Sequence, residues 1–124
     1  MPNKINSDPI PIRMRLLLLL TFTAMLGGLF ILGAQPMAVG LFQPPVDKFV
    51  HVIFFSLLTI SLWFGTNRSH LIAVFLSVIL IAVLDEWHQY YLPGRSADML
   101  DLSADILAAG AMTFIIYLIR TKAE

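Results

Sequence analysis

The sequence predicts an all-α integral membrane bundle of four transmembrane helices, with both termini in the cytoplasm. The first observation is composition, because 58% of the 124 residues are hydrophobic and only 13% are charged, against about 45–50% and about 25% in soluble domains. The second is the arrangement of the apolar residues in four long runs, each near the roughly 20 residues that cross a bilayer. The third is the position of lysine and arginine at the ends of these runs, which predicts orientation.

The four helices are predicted at 14–34, 46–64, 69–91 and 100–120. The first helix lies in a stretch without charged residues that runs from Leu16 to Val46. Pro36 lies within this stretch and marks the end of the helix. Turn residues mark the later breaks, at Pro44-Pro45, Gly65-Thr66-Asn67 and Pro93-Gly94. None of the runs alternates with the period of two that a membrane β-barrel strand requires.

The transmembrane domain at 14–120 is predicted to lie between two cytoplasmic tails. Residues 1–13 are polar and rich in proline, which predicts a disordered tail, and residues 121–124 form a second, short tail. A cleaved signal peptide is the alternative for the first helix. We favour a retained helix, because its apolar stretch is longer than the usual core of about 7–15 residues.

Charge predicts the sidedness and excludes several classes of function. With both termini inside, six basic residues face the cytoplasm and two, Lys48 and Arg95, face outwards, as the positive-inside rule requires. The formal net charge is zero, so we expect no nucleic-acid partner. The chain has no cysteine, which excludes disulfides and thiolate metal sites. Small residues such as Ala104 and Ala108 permit a homo-oligomer.

Ionisable residues concentrate at the predicted outer ends of the helices. At about 1.5 Å per residue, His51, Glu86 and Asp105 each lie about 21–25 Å from the cytoplasmic end of their helix. A charge that faces lipid costs roughly 2.5–3.5 kcal/mol even by the lowest estimates of membrane insertion, so these side chains should point into the bundle. The predicted ligand-binding residues are Asp47, Lys48, His51, Glu86, Gln89, Arg95, Asp101 and Asp105.

The same residue types also have purely structural interpretations. Buried ionisable groups can hold helices together through hydrogen bonds. Asp98 or Ser96 can cap the first turn of the fourth helix. His88 follows Trp87 and suits the headgroup level of a membrane.

Three motifs resemble those of the VanZ-like family over about residues 46–120. Asp47-Lys48-Phe49-Val50-His51 resembles its DKxxH opening, and Glu86-Trp87-His88-Gln89 resembles its ExxQ element. Pro93-Gly94-Arg95, followed by Asp101, resembles its PxR…D element. This chain departs from the family pattern at Asp105, where asparagine is usual, and at Ala108, where glycine is usual.

The resemblance implies a multi-pass protein of the bacterial cytoplasmic (inner) membrane that belongs to the cell envelope. The member that names the family is associated with resistance to the glycopeptide antibiotic teicoplanin, and no biochemical activity is established for it. Some relatives carry a phosphotransbutyrylase label. The sequence does not support that activity here, because Gly27-Gly28 lies in an apolar helix rather than in a phosphate-binding loop, and these glycines suit close contact between helices.

Two functions are weighed for these residues, and transport is less favoured because four helices are few for a transporter built on inverted repeats. We favour a non-enzymatic protein whose outward-facing polar pocket binds a lipid-linked envelope precursor or a glycopeptide-type ligand, with Lys48 and Arg95 holding a phosphate or carboxylate. The alternative is an enzyme that acts on a lipid-linked substrate at the outer leaflet, with His51 or Glu86 as general acid or base. No cofactor is predicted. No metal site is predicted either, because the possible ligands lack a recognised spacing; they are His51, His88, Glu86 and Asp101.

Overall fold

The computed structural model describes residues 8–123 as an all-helical chain, and none of these residues lies in a strand. Four helices are each long and apolar enough to cross a membrane, which confirms the predicted fold class. They are α1 (Ile12–Gly27, continued by a π-helical turn at Gly28–Leu32), α2 (Val46–Gly65), α3 (Leu71–Tyr90) and α4 (Met99–Ala123).

The N-terminal part of the chain becomes helical earlier than the sequence predicts. α1 begins at Ile12, so the last two residues of the predicted tail at 1–13 belong to the helix. Before it, the backbone N–H of Ile10 donates to Oδ1 of Asn67, with 2.8 Å between the two atoms. This contact holds the chain against the turn between α2 and α3. The remainder of the predicted tail, residues 1–7, lies outside the described residues.

The C-terminal helix is longer than the sequence predicts. α4 continues to Ala123 and therefore includes most of the predicted tail at 121–124, whose final residue lies outside the described part of the chain. Arg120 and Lys122 lie in its last turn. Their positive charges favour the extension, because the C-terminal end of a helix dipole is negative.

One end of the bundle contains the start of α1, the turn between α2 and α3, and the end of α4. Nε of Arg15 donates to the carbonyl of Gly65 there, at 3.3 Å. A Cβ on Gly65 would lie 2.8 Å from the Leu19 side chain, so the absence of a side chain allows α1 to approach α2. We call this the basic end because its segments carry Arg13, Arg15, Arg68, Arg120 and Lys122.

The core lies between α2, α3 and α4. Phe55 and Leu58 of α2 pack against Val78 of α3 and against the alanines of α4, and a second buried cluster forms around Trp63 nearer the basic end. Ala108 is only 5% exposed within this core. It therefore serves contact between helices of one chain, and it does not offer the surface for a second chain that its size suggested.

Candidate functional site

The other end of the bundle, where α2 and α4 begin and α3 ends, gathers the ionisable groups, and we call it the polar end. Six carboxylates belong to it, those of Asp47, Asp85, Glu86, Asp98, Asp101 and Asp105. Four of them are buried, at Asp85, Glu86, Asp101 and Asp105. An unpaired buried charge is energetically costly. The hydrogen-bond and ion-pair partners of these carboxylates therefore determine which of them can still bind a ligand.

Lys48 joins the start of α2 to the start of α4. Its Nζ lies 3.0 Å from Oδ2 of Asp47 and 3.0 Å from Oδ2 of Asp98, and it also contacts Oδ1 of Asp101. An ammonium group has three N–H donors, so these three carboxylates use its whole capacity. The ammonium of Lys48 is therefore fully paired with carboxylates of the protein itself, although its motif suggested that it binds an external anion.

His51 forms the second connection between α2 and α4. Its Nδ1 lies 2.7 Å from Oδ1 of Asp105, a fully buried residue. Its Nε2 lies 3.7 Å from Oδ2 of Asp101, and the ring of Phe55 stacks nearly parallel to the imidazole. These contacts hold the ring in one orientation, which a proton-transferring group requires.

The carboxylates of α3 lie close to that of Asp105. Glu86 accepts the backbone N–H of Asp98 at Oε2 (2.8 Å), and Gln89 donates from Nε2 to Oδ2 of Asp85 (2.9 Å). Asp85, Glu86 and Asp105 each bring one carboxylate oxygen within 4.8 Å of those of the other two. Asp85 was not among the predicted site residues; it lies four residues before Gln89, so the two side chains share one face of α3.

Asp98 caps α4, as one interpretation of the sequence predicted. Its Oδ1 accepts the backbone N–H of Leu100, with 2.8 Å between the two atoms. This hydrogen bond, together with the nearby ammonium of Lys48, lowers the pKa of the Asp98 carboxyl below its ordinary value. The charged form of Asp98 thus stabilises the start of the helix that carries Asp101 and Asp105.

We expect Asp98→Ala to lower the free energy of unfolding by about 1 kcal/mol at neutral pH, as loss of an N-cap does. Since the folded-state pKa lies below that of the unfolded chain, this stabilisation is complete above about pH 4 and declines as the pH falls through the folded value. Unfolding midpoints measured from pH 7 to pH 2 should therefore differ most at neutral pH. A constant difference between the variant and the wild type across that range would contradict the prediction.

Arg95 connects the loop before α4 to the end of α1. Its Nη2 donates to the carbonyl of Gly33, directly after the π-helical turn, at 2.8 Å. Its Nε is buried and has no hydrogen-bond partner among the described residues. Among the residues that the structure describes, no carboxylate oxygen lies within 4.0 Å of the Arg95 guanidinium. Arg95 is thus held by a neutral carbonyl and retains an unused donor.

A cavity of about 200 Å³ lies between the π-helical turn, α2, α3 and the loop that carries Arg95. Gly28 lines it, and a Cβ there would meet no atom within 4 Å. This glycine borders open space, so the expected close helix contact at Gly27-Gly28 is absent. The polar lining comes from His51, Asp85, His88, Gln89 and Arg95.

The predicted site residues fall into two groups. His51, Gln89 and Arg95 line the cavity, and His88 joins them with its ring 5.6 Å from that of Phe30. Among the described residues, the other five predicted positions lie outside its lining and belong to the surrounding polar network; they are Asp47, Lys48, Glu86, Asp101 and Asp105. The network thus contacts the cavity through His51, which Asp101 and Asp105 hold in place.

Four membrane-capable helices with a buried polar network at one end define a multi-pass membrane protein. The chain belongs to the VanZ/LLP1 family, whose model matches residues 4–120, so the resemblance inferred from the three motifs is confirmed. No curated protein and no solved structure gives a significant match.

Proposed function

We propose that this chain is a cell-envelope protein that binds an anionic headgroup in the cavity without chemical turnover. The observation that carries the proposal is Nε of Arg95, a buried donor without a partner among the described residues, in a side chain that lines the cavity. A buried unsatisfied donor costs about 1–3 kcal/mol, and more if it is charged. A phosphate or carboxylate in the cavity would accept a charge-assisted hydrogen bond from the Arg95 guanidinium.

The size of the cavity indicates what part of a ligand would enter. Sites for drug-sized molecules occupy about 300–1,000 Å³, whereas this cavity has about 200 Å³. It suits the headgroup of a lipid-linked envelope precursor, with the lipid chain remaining outside between bilayer and protein. A glycopeptide-type ligand would enter with one substituent only.

We further propose that the polar end faces outwards and that both termini lie in the cytoplasm of a bacterial cell. Six basic residues against two support this sidedness. Aromatic side chains at the polar end give additional support, because Trp87, Tyr90 and Tyr91 are each more than half exposed and suit the interface of a membrane. The cavity would then open towards the outer leaflet of the inner membrane.

Catalysis on a lipid-linked substrate is the second candidate function. It is favoured by the pairing of His51 with Asp105 at 2.7 Å, since a carboxylate that orients an imidazole is a common arrangement in general-base catalysis. His51 lines the cavity, whereas Glu86 does not. In this mechanism His51 would move the proton, and Glu86 would act only through the surrounding network.

We expect Arg95→Met to weaken binding of a short-chain prenyl diphosphate-linked sugar by at least about tenfold, which equals about 1.4 kcal/mol. The reason is the loss of a charge-assisted hydrogen bond. Titration of the purified protein in detergent measures the affinity. Arg13→Met is the matched control, because Arg13 is exposed and lies at the basic end.

Equal affinity of Arg95→Met and the wild type would contradict the binding site. Analysis of the same mixtures for product separates the two functions. Saturable binding without product supports the binding protein. Product that disappears in both His51→Ala and Glu86→Ala supports the enzyme.

A further inference from the structure

Three carboxylates at the polar end meet in a space with little access to solvent. Asp85, Glu86 and Asp105 are exposed by 2%, 5% and 0%, and they bring one oxygen each within 4.8 Å of one another. We propose that these three side chains form a binding site for a hard divalent cation such as Mn²⁺ or Ca²⁺.

Two of these carboxylates have an oxygen that the protein leaves unused. Oε1 of Glu86 and Oδ2 of Asp105 are buried and have no hydrogen-bond partner among the described residues. A buried carboxylate oxygen that accepts no hydrogen bond lowers the stability of the folded protein. Both oxygens belong to side chains of the three-carboxylate cluster, so the cluster retains unused ligand atoms.

Of the three carboxylates, only that of Asp105 contacts a basic side chain among the described residues. Lys48 is committed to three other carboxylates, and Arg95 to the carbonyl of Gly33. His51 contacts Asp105. Within the described residues, no lysine, arginine or histidine nitrogen lies within 4.0 Å of the Asp85 or Glu86 carboxylates. A bound cation would supply the missing positive charge.

Each of the three carboxylates is held by a neighbour through one of its oxygens. Gln89 donates to Oδ2 of Asp85, the backbone of Asp98 donates to Oε2 of Glu86, and His51 contacts Oδ1 of Asp105. Hydrogen bonds of this kind orient the ligands of metal sites. The cluster is therefore fixed in position by its surroundings before any ion binds.

The donor set indicates the class of metal. Carboxylate oxygens suit hard cations such as Ca²⁺, Mn²⁺ and Mg²⁺, whereas thiolates and imidazoles suit zinc and copper. Oxygens around Ca²⁺ lie at about 2.3–2.6 Å from the ion, so two of its ligands can be up to about 5 Å apart. Three carboxylate oxygens within 4.8 Å of one another are close enough for one such ion to contact all of them. Asp85 also lines the cavity, through which water could complete the coordination.

The cation site does not depend on the proposed binding of a headgroup, because an ion alone can test it. Purified protein in detergent at pH 8 is titrated with Mn²⁺, and free Mn²⁺ is measured by electron paramagnetic resonance. We expect saturable binding of one ion per chain, displaced by Ca²⁺. Glu86→Gln and Asp105→Asn should each weaken it by at least about tenfold.

The matched control is Asp8→Asn, which removes the same charge at the basic end. The backbone carbonyl of Asp8 contacts Arg68 there, and its side chain is exposed, so Mn²⁺ binding should be unchanged. If either cluster variant fails to fold, the wild type still decides. Mn²⁺ or Ca²⁺ should raise its melting temperature, as a ligand of the native state does, and NaCl of equal ionic strength should not.

Three results would overturn the proposal. The first is a wild type that binds no Mn²⁺ at millimolar concentration, which would mean that protons rather than a metal neutralise the cluster. The second is undiminished binding by both folded cluster variants. The third is a melting temperature that responds equally to NaCl and to the divalent ions.

Discussion

His51→Leu is expected to lower the free energy of unfolding by about 3 kcal/mol, the lower end of the range for removing one partner of a buried ionisable pair, because the His51 side chain is 18% exposed. The partner that remains is Asp105, which is 0% exposed. Its Oδ1 would lose the imidazole at 2.7 Å, and its Oδ2 already has no partner among the described residues. The variant therefore leaves a carboxylate in the core with neither oxygen satisfied.

A double-mutant cycle tests this explanation. Because the cost of His51→Leu comes from the unpaired Asp105 carboxylate, the double variant His51→Leu/Asp105→Leu should recover most of the lost stability. Unfolding of the purified protein in mixed detergent and dodecyl sulfate measures the four free energies. The exposed His70 provides the control, since His70→Leu should change stability by no more than about 0.5 kcal/mol. Additive effects of the two substitutions would refute the pairing as the cause.

Lys48→Met is expected to lower the free energy of unfolding by about 2–3 kcal/mol. Removal of a partner from a fully buried pair costs about 3–5 kcal/mol, and the smaller value applies because the Lys48 side chain is 28% exposed. Its loss leaves three carboxylates close together, those of Asp47, Asp98 and Asp101. Their mutual repulsion acts on the junction between α2 and α4.

The same unfolding measurement checks the effect of Lys48. Lys122→Met removes an equal charge from the exposed last turn of α4 and should cost only a few tenths of a kcal/mol. Lys48→Arg retains the charge and should preserve part of the stability, although a planar guanidinium fits three separate carboxylates less well than an ammonium does. If Lys48→Met is no more destabilising than Lys122→Met, the three ion pairs contribute little.

These expected effects separate two tasks within the polar end. The ion pairs of Lys48 and His51 fasten α2 to α4, so substitutions there should first reduce stability. Arg95 and His88 line the cavity, so substitutions there should first change binding. A residue-by-residue comparison of stability and affinity would therefore show which part of the three motifs serves the fold and which serves the ligand.

The sequence alone indicated that the helices of this protein lie in a lipid bilayer, and this in turn determined the fold class. Long apolar runs that a soluble core could not bury predict helices in lipid, because a membrane helix satisfies its own backbone hydrogen bonds. The position of the charges predicted that His51, Glu86 and Asp105 belong to one end of the bundle. A local signal also sufficed for the cap at Asp98, since the hydrogen bond to the backbone of Leu100 lies within the first turn of α4.

Only the tertiary structure decided how these charges are paired. The sequence suggested that Lys48 and Arg95 act together on an anion, whereas Lys48 is surrounded by carboxylates and Arg95 contacts the end of α1 at Gly33. The unsatisfied oxygens of Glu86 and Asp105 were likewise invisible in the spacing of the residues. Pairing depends on how each helix is rotated and how closely it approaches its neighbours, and these are set by side-chain packing across the whole bundle.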